Sequence, residues 1–266
     1  MPSFTDQLGR TITLNHSPGR IISLVPSQTE LLYDLGADVV GITKFCVHPA
    51  AWFREKTRIG GTKDIHPGKI AALQPDLIIA NKEENDRDQV EALAAQYPVW
   101  ISDVCNLADA LAMIRSVGDL LDRSAKAQSL AADIEKAFND LQPAARSLRA
   151  AYFIWRNPWM TAGGDTFIHD MLQRCGFINM FSSQSRYPTV DPDTLTNCDL
   201  VLLSSEPYPF RDKHLQEIQT LLPNAIVRRV DGELFSWYGS RLLQAPAYFR
   251  RLLTDCHMGL PKKDEL

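Results

Sequence analysis

The chain has 266 residues, of which 45% are hydrophobic and 23% are charged, and its formal net charge is −4. This length and composition are typical of a globular chain that buries its own core. The acidic balance argues against nucleic acid as a partner, and the chain lacks the roughly 18 consecutive apolar residues that predict a membrane span.

The first strong pattern is an apolar run at residues 20–26 that predicts a buried strand. Ser27 and Glu30 follow it with the spacing of a capping box, which predicts that a helix starts here and ends at Gly36. The next apolar run, at residues 38–42, predicts a second strand. Together these segments predict a β-α-β unit.

The alternation of strands and helices continues along most of the chain. Further strands are predicted at residues 75–80, 98–102, 150–155, 199–203 and 225–227, and helices at 69–73, 88–96, 165–174, 214–222 and 241–253, with Leu195 on a short helix. Such alternation is typical of parallel sheets covered by helices.

Two helical stretches, at residues 107–121 and 124–141, interrupt this rhythm. The second would be about 27 Å long at about 1.5 Å per residue, and it predicts a connector between two lobes. We therefore expect an α/β protein in which two lobes, each with a mainly parallel sheet flanked by helices, are joined by one long rigid helix. The expected boundaries are residues 1–122, 123–143 and 144–266.

Five scattered cysteines form neither a CxxC motif nor a zinc-ribbon pattern: Cys46, Cys105, Cys175, Cys198 and Cys256. We interpret them as reduced thiols, with a Cys175–Cys256 disulfide as the alternative. The chain also lacks the G-x-S-x-G, H-E-x-x-H, Walker A and G-x-G-x-x-G motifs. The interpretation is a protein that is not an enzyme and has neither a cofactor nor a resident metal.

Candidate binding residues of the N-terminal half follow predicted strands, because ligands of α/β sheets lie beyond the carboxyl ends of the strands. Ser27 is either a ligand contact or a helix cap. Phe45 and His48 are either ligand contacts or packing residues. Cys46 and His48, two positions apart, suggest a bare metal-ion site as a further alternative.

Two aromatic clusters that contain arginine give candidates in the C-terminal half. Trp155, Arg156 and Trp159 follow a predicted strand, and Trp237, Tyr238 and Arg241 precede the last predicted helix. Indole faces beside guanidinium donors suit a broad planar ligand with a polar edge. The alternative for both clusters is packing in the core.

These segments together resemble the substrate-binding proteins of ABC importers for vitamin B12, iron-siderophores and haem, and most of all the vitamin B12-binding branch. The resemblance covers about residues 4–253. Its carriers are the segments 20–27 with Thr29 and Glu30, 74–78, the long connector helix and 237–241. It implies two lobes with the ligand held between them.

The resemblance also assigns roles to single positions. Phe45, His48, Trp155 and Arg241 match ligand-lining positions, with Trp237 and Tyr238 adjacent. Asp193 matches an acidic residue that docks on the transporter, while Gly68 stands where the family has a second acid. An importer permease is therefore an open expectation, and we expect a monomer. The resemblance implies a periplasmic protein, whereas a chain that starts without a leader implies a cytoplasmic one.

The functional hypothesis is a protein that binds cobalamin or a related corrinoid without altering it. Three alternatives remain open within the binding class. The first is a protein that binds a ferric siderophore or haem, with His48 as the suspected axial ligand of haem. The second is a soluble corrinoid carrier or sensor. The third is a protein that binds a bare metal ion through Cys46 and His48. An enzyme on the same scaffold is the competing class.

Overall fold

The structure, a computed structural model, describes residues 2–258 and falls into two compact units. The first unit contains the residues up to Val104, Ala108–Glu135 and Trp237–Leu243. Of the described residues, the second unit contains Cys105–Leu107, Lys136–Ser236 and 244–258. The short segment Trp237–Leu243 thus groups with the first unit, although it lies near the end of the chain.

The first unit is built on a parallel sheet with the strand order β5-β4-β3-β6-β7. Its strands are β1 (Ser3–Thr5), β2 (Thr11–Thr13), β3 (Ile21–Ser23), β4 (Val39–Ile42), β5 (Thr57–Arg58), β6 (Leu77–Asn81) and β7 (Val99–Ser102). Its helices are α1 (Pro26–Leu35), α2 (Ala50–Glu55), α3 (Pro67–Leu73), α4 (Arg87–Ala94) and α5 (Leu107–Leu120). Strands β1 and β2 form a separate antiparallel hairpin, which the sequence analysis missed together with β5 and α2.

The central strands of this sheet are buried along their whole length. Every residue of β3, β6 and β7 is buried. Strands that are covered on both faces read as continuous apolar runs, which is why the sequence pattern located them. The predicted parallel α/β architecture is confirmed.

The predicted capping box at the start of α1 is wrong. The helix begins at Pro26 after Val25, which makes no side-chain cap. Proline at the first helical position has no N–H group to satisfy, so a side-chain cap is less needed. Ser27 is a buried residue inside the first turn, and the Glu30 carboxylate binds Arg241. Helix α1 ends as predicted at Gly36, where φ is 79°.

The second unit also contains a mainly parallel sheet, with the strand order β10-β8-β11-β12, and β9 pairs with β8 in the antiparallel sense. Its strands are β8 (Arg149–Trp155), β9 (Met160–Thr161), β10 (Ile178–Asn179), β11 (Leu200–Ser204) and β12 (Ile226–Val230). Its helices are α7 (Phe167–Arg174), α8 (Asp212–Leu221), α9 (Glu233–Ser236) and α10 (Ala245–Met258). Its core includes buried residues of β8, β11 and β12 such as Phe153, Leu203 and Val227.

The predicted long helix is present as α6 (Ser124–Asn139). The division between the two units falls within this helix, between Glu135 and Lys136. In the first unit, α6 packs closely on α5. A Cβ atom added at Gly118 would lie 2.2 Å from the Cβ atom of Ala127, so this close approach requires glycine.

The predicted helix at residues 241–253 is two separate elements. Arg241 lies in a 3-10 turn, Ser240–Leu243, and α10 starts afterwards at Ala245. Pro246 is the second residue of α10, a position where the missing N–H group costs nothing. Leu195, which was predicted on a short helix, follows the 3-10 turn Pro192–Thr194.

All five cysteines are free thiols, so the alternative of a Cys175–Cys256 disulfide is not formed. Within residues 2–258, no helix is both long enough and apolar enough to cross a bilayer.

Candidate functional site

Four polar or aromatic side chains of the first unit follow the carboxyl ends of neighbouring parallel strands. Ser27 comes after β3, Phe45 and His48 come after β4, and Glu84 comes after β6. Carboxyl ends of adjacent parallel strands meet at one edge of a sheet, where α/β proteins place ligands. We call these four residues the strand-end surface.

The segment after β4 presents apolar groups to solvent. The side chain of Phe45 is 51% exposed, and Val47 beside it is also exposed. The Lys44 ammonium lies 5.1 Å from the centre of the Phe45 ring. His48 is half-buried. Burial of exposed apolar area is favourable, so this segment can gain free energy by covering itself with an apolar ligand face.

Cys46 belongs to the core under this segment. The Thr29 hydroxyl donates to the Cys46 sulfur at 3.0 Å, and the Thr43 hydroxyl lies 3.1 Å from it. Burial raises the pKa of this thiol. A buried protonated thiol is a poor partner for His48 in a metal site. Among residues 2–258, no group of three or more His, Cys, Asp or Glu side chains could hold a metal ion.

The segment Trp237–Leu243, which we call the docked segment, packs along α1. The Arg241 guanidinium donates to both Glu30 carboxylate oxygens, at 2.8 and 2.7 Å. The Ser240 hydroxyl donates to Asp34. A Cβ atom at Gly239 would lie 2.5 Å from the Ser27 carbonyl oxygen, so glycine lets the two backbones touch. Three consecutive residues therefore attach this segment to one helix.

Trp237 and Arg241 make their observed contacts within the protein. The guanidinium of Arg241 lies 4.8 Å from the centre of the Trp237 ring. The Trp237 ring meets the His48 ring edge to face, with 5.6 Å between centroids, and Trp237 is buried. Both residues were predicted ligand contacts, with packing in the core as the alternative. In the structure Arg241 contacts Trp237, and Trp237 contacts His48.

Tyr238 is a buried hydrogen-bond donor at the strand-end surface. Its hydroxyl donates to the Glu84 carboxylate at 2.6 Å. Burial raises the pKa of Tyr238 well above its usual range, and the charge of Glu84 raises it further. The Ser27 hydroxyl beside it acts in the opposite direction. Tyr238 therefore stays a neutral phenol that is hydrogen-bonded to Glu84.

Trp155 lies at the carboxyl end of β8 in the second unit and is 39% exposed. Its ring meets Tyr208 edge to face, with 5.6 Å between centroids. This is the position at which parallel strands present ligand contacts, and the indole retains free surface. Trp155 is thus a candidate contact of the second unit in its own right.

The other two residues of the predicted cluster, Arg156 and Trp159, make side-chain contacts within the second unit. Arg156 donates to both carboxylate oxygens of Glu217, at 3.1 and 2.8 Å, and this raises the pKa of Arg156. Trp159 stacks on Phe210 with 5.7 Å between centroids and packs against the core of the unit. Trp159 is thereby mainly a packing residue.

The two positions linked to transporter docking are both accessible. Asp193 lies in the 3-10 turn Pro192–Thr194 and is exposed. It lines a cavity of about 460 Å³ together with Trp159, Asp191 and Glu217. Gly68 is exposed on α3, and a Cβ atom there would meet nothing within 4 Å.

Glu30 and Glu84 are the site residues that sequence reasoning did not identify. The spacing of Glu30 from Ser27 predicts a helix cap, whereas the structure pairs Glu30 with Arg241. A signal for Glu84 was present, because Lys82, Glu83 and Glu84 form a charged run immediately after the buried strand β6. Charges at that point of a parallel sheet are candidates for a site.

Comparison with known protein families shows which family has this architecture. A family model described as periplasmic binding protein matches residues 21–221, which is most of the chain. The protein belongs to the periplasmic binding protein family. Members of this family bind substrates and are not enzymes, and in ABC importers such proteins deliver small molecules to a permease.

Individual relatives are distant. An uncharacterized ABC transporter substrate-binding lipoprotein of Bacillus subtilis is 27% identical over 180 residues, which are 63% of this chain and 57% of that protein. The match thus spans less than two thirds of that relative. A vitamin B12-binding protein of Pectobacterium carotovorum is 26% identical over 256 residues, 91% of each chain.

Solved structures share the fold. A periplasmic vitamin B12 binding protein of Vibrio cholerae has a TM-score of 0.72 at 22% identity, with 91% of this chain and 98% of that chain covered. A periplasmic haem binding protein of Pseudomonas aeruginosa has a TM-score of 0.77 at 19% identity, with 92% and 94% covered. The predicted resemblance to this group is confirmed.

Proposed function

We propose that the protein binds cobalamin or a related corrinoid and releases it chemically unchanged. The observation that carries the proposal is the strand-end surface, where the exposed Phe45 lies at the same sheet edge as the hydrogen-bonding groups of Ser27, His48 and Glu84. A corrin ring has apolar faces and a rim of amides. An exposed aromatic side chain matches the faces, and hydroxyl, imidazole and carboxylate groups match the rim.

Trp155 extends the same reasoning to the second unit. Its indole is exposed at a strand end and can cover apolar ligand surface. We propose it as a second ligand contact. We propose that Trp237 positions His48 through their ring contact, and that Arg241 in turn holds Trp237.

The test is calorimetric titration of the purified protein with cyanocobalamin. We expect one-to-one binding in the micromolar range or tighter. Phe45→Ala should weaken binding about tenfold, the cost typical of losing one good aromatic contact. Tyr33→Ala is the matched control, since Tyr33 is exposed to a similar extent, 46%, but lies on α1. Absence of binding by the wild-type protein would end the corrinoid proposal.

Haem is the second candidate, and His48 is the observation that favours it. A half-buried imidazole beside exposed Phe45 and Val47 can supply an axial ligand to a planar iron chelate. Titration with haemin should then shift the Soret band, and His48→Ala should abolish the shift. Ferric siderophores belong to the same class of metal chelates. They are tested by asking whether a ferric siderophore displaces bound cyanocobalamin or haemin.

An importer permease is the proposed partner, with Asp193 as the contact of the second unit. Its exposed carboxylate can pair with a basic residue. The first unit has Gly68 at the matching position, so we expect docking weaker than with two acids. Gly68→Glu, for which the structure has space, should strengthen capture by a vitamin B12 importer in lipid vesicles. Failure of both wild type and Gly68→Glu to bind the importer would favour a carrier or sensor role.

A further inference from the structure

Tyr208 lies beside Trp155 at the carboxyl ends of two neighbouring strands of the second unit. Trp155 is the last residue of β8, and Tyr208 follows β11, which pairs with β8. The Tyr208 N–H donates to the Ile154 carbonyl at 3.3 Å, and the Tyr208 ring meets the Trp155 ring edge to face. Tyr208 is half-buried, and Trp155 is exposed. The phenol therefore borders the exposed indole.

His214 fixes the direction of one hydrogen bond of Tyr208. The Arg211 backbone N–H donates to His214 Nδ1 at 2.9 Å, so Nδ1 carries a lone pair and not a proton. An imidazole whose Nδ1 is unprotonated is neutral and carries its proton on Nε2. His214 Nε2 lies 3.4 Å from the Tyr208 hydroxyl. The imidazole is therefore the donor of this bond, and the Tyr208 oxygen is the acceptor.

Arg156 places a second donor group beside the same oxygen. The hydrogen bonds to Glu217 raise the pKa of Arg156, and the Tyr208 hydroxyl acts in the same direction. A phenol has this effect when its oxygen faces the guanidinium, because a partial negative charge favours the cation. The Arg156 side chain is 26% exposed, so solvent reaches this part of the second unit.

The Tyr208 hydroxyl proton is the remaining hydrogen-bonding group of this side chain. A phenol donates one hydrogen bond and accepts up to two. The His214 proton and the Arg156 guanidinium face the oxygen, and within residues 2–258 no acceptor receives the proton. The proton can therefore be donated to an oxygen of a ligand that lies on Trp155. Corrin amides and haem propionates both present such oxygens at the edge of a flat apolar ring.

We propose that Tyr208 is a ligand contact of the second unit, whose hydroxyl, oriented by His214, donates a hydrogen bond to an acceptor oxygen at the rim of a ligand that covers Trp155. The inference rests on the proposed function, because it adds a polar contact to the surface that carries Trp155. Trp155 supplies apolar area, and Tyr208 requires an oxygen at one point of the ligand rim. His214 is a positioning residue.

The first test is calorimetric titration of Tyr208→Phe with cyanocobalamin, and with haemin for the haem alternative. Phenylalanine retains the ring contacts and removes the hydroxyl, so binding should weaken about three- to tenfold, the size of one hydrogen bond. Tyr152→Phe is the matched control, because it removes a buried phenol hydroxyl that lies 3.1 Å from the Ser204 hydroxyl in the same unit. It should leave the affinity unchanged.

The direction of the hydrogen bond is tested by 3-fluorotyrosine at position 208, since fluorine makes the phenol a stronger donor and a weaker acceptor. Binding at about pH 6.5, where the phenol keeps its proton, should become tighter than that of the wild type. Unchanged or weaker binding would overturn the donor role. This variant also replaces Tyr208→Phe if thermal melts show that the phenylalanine variant does not fold.

The positioning role of His214 is tested by a double-mutant cycle. His214→Phe keeps a ring but removes the donor that orients Tyr208. It should weaken binding when introduced alone and have no further effect when added to Tyr208→Phe, because no hydroxyl is then left to orient. Equal losses in both backgrounds would show that His214 acts only through the structure.

The outcomes separate the two proposals. Wild-type protein that binds neither cyanocobalamin nor haemin contradicts the proposed function and the role of Tyr208 together. A folded Tyr208→Phe variant that binds the ligand as tightly as the wild type overturns the role of Tyr208 alone.

Discussion

Arg241 and Glu30 form a two-point ion pair that joins the docked segment to helix α1. Both guanidinium–carboxylate contacts are shorter than 2.9 Å, and the side chains are 13% and 15% exposed. The partners are 211 positions apart in the chain. An arginine expected at the ligand thus secures the element that carries Trp237 and Tyr238.

Arg241→Ala should destabilise the protein by roughly 2–3 kcal/mol, because the loss of one partner leaves the poorly solvated Glu30 charge unpaired. Urea unfolding measures the change. The control is Arg87→Ala, which breaks an exposed pair with Glu91 and should cost less than about 0.5 kcal/mol. Equal effects of the two substitutions would mean that the Arg241 pair has no structural role.

Gly239→Ala should loosen the docked segment, since the added methyl group would lie 2.5 Å from the Ser27 carbonyl oxygen. We expect a loss of stability of about 1–3 kcal/mol, as for other overpacked sites. Gly68→Ala is the contrasting variant. It adds a methyl group to open space on α3 and should be neutral or stabilising by up to about 1 kcal/mol. A neutral Gly239→Ala would contradict the close packing.

His214 makes the stability of the protein depend on pH. Burial lowers the pKa of His214, and the neighbouring charges of Lys213 and Arg156 lower it further. The Arg211 N–H donates to His214 Nδ1 at 2.9 Å, which requires that nitrogen to be unprotonated. The unfolded chain takes up a proton near pH 6.5, before the folded protein does, so stability should fall as the pH drops below about 6.5.

Urea midpoints between pH 7.5 and pH 5 test this dependence. His214→Gln should flatten the profile over that window. The exposed His16, whose ring contacts the Ser17 carbonyl, gives the control variant His16→Gln, which should retain the wild-type slope. An unchanged slope in His214→Gln would assign the pH dependence to other groups.

Cys46 should resist alkylation in the folded protein. Its thiol is fully buried, hydrogen-bonded to Thr29, and has a raised pKa. Iodoacetamide at pH 8 followed by peptide mass spectrometry should find the half-buried Cys105 modified well before Cys46. Urea should expose Cys46 to the reagent. Rapid modification of Cys46 without denaturant would restore it as an accessible metal ligand.

The sequence by itself determined the main strands and helices of the two sheets and pointed to the sheet edge where the candidate residues lie. Apolar runs such as β6 located the buried strands, because strands covered on both faces need apolar residues at every position. Gly36 marked the end of α1. Phe45 and Trp155 could be predicted as candidate contacts because strand ends are local features of the chain, and the structure shows that both side chains are exposed.

Only the tertiary structure decided which side chains pair. Glu30 has the spacing of a cap, yet it binds a partner 211 positions away, and Glu84 accepts a hydrogen bond from Tyr238, 154 positions away. The stacking of Trp159 on Phe210 is a similar long-range contact. The periodicity of apolar residues along the chain indicates which face of a helix or strand is buried. It does not record which distant residue meets that face, because that choice depends on chain packing and on the desolvation of both partners.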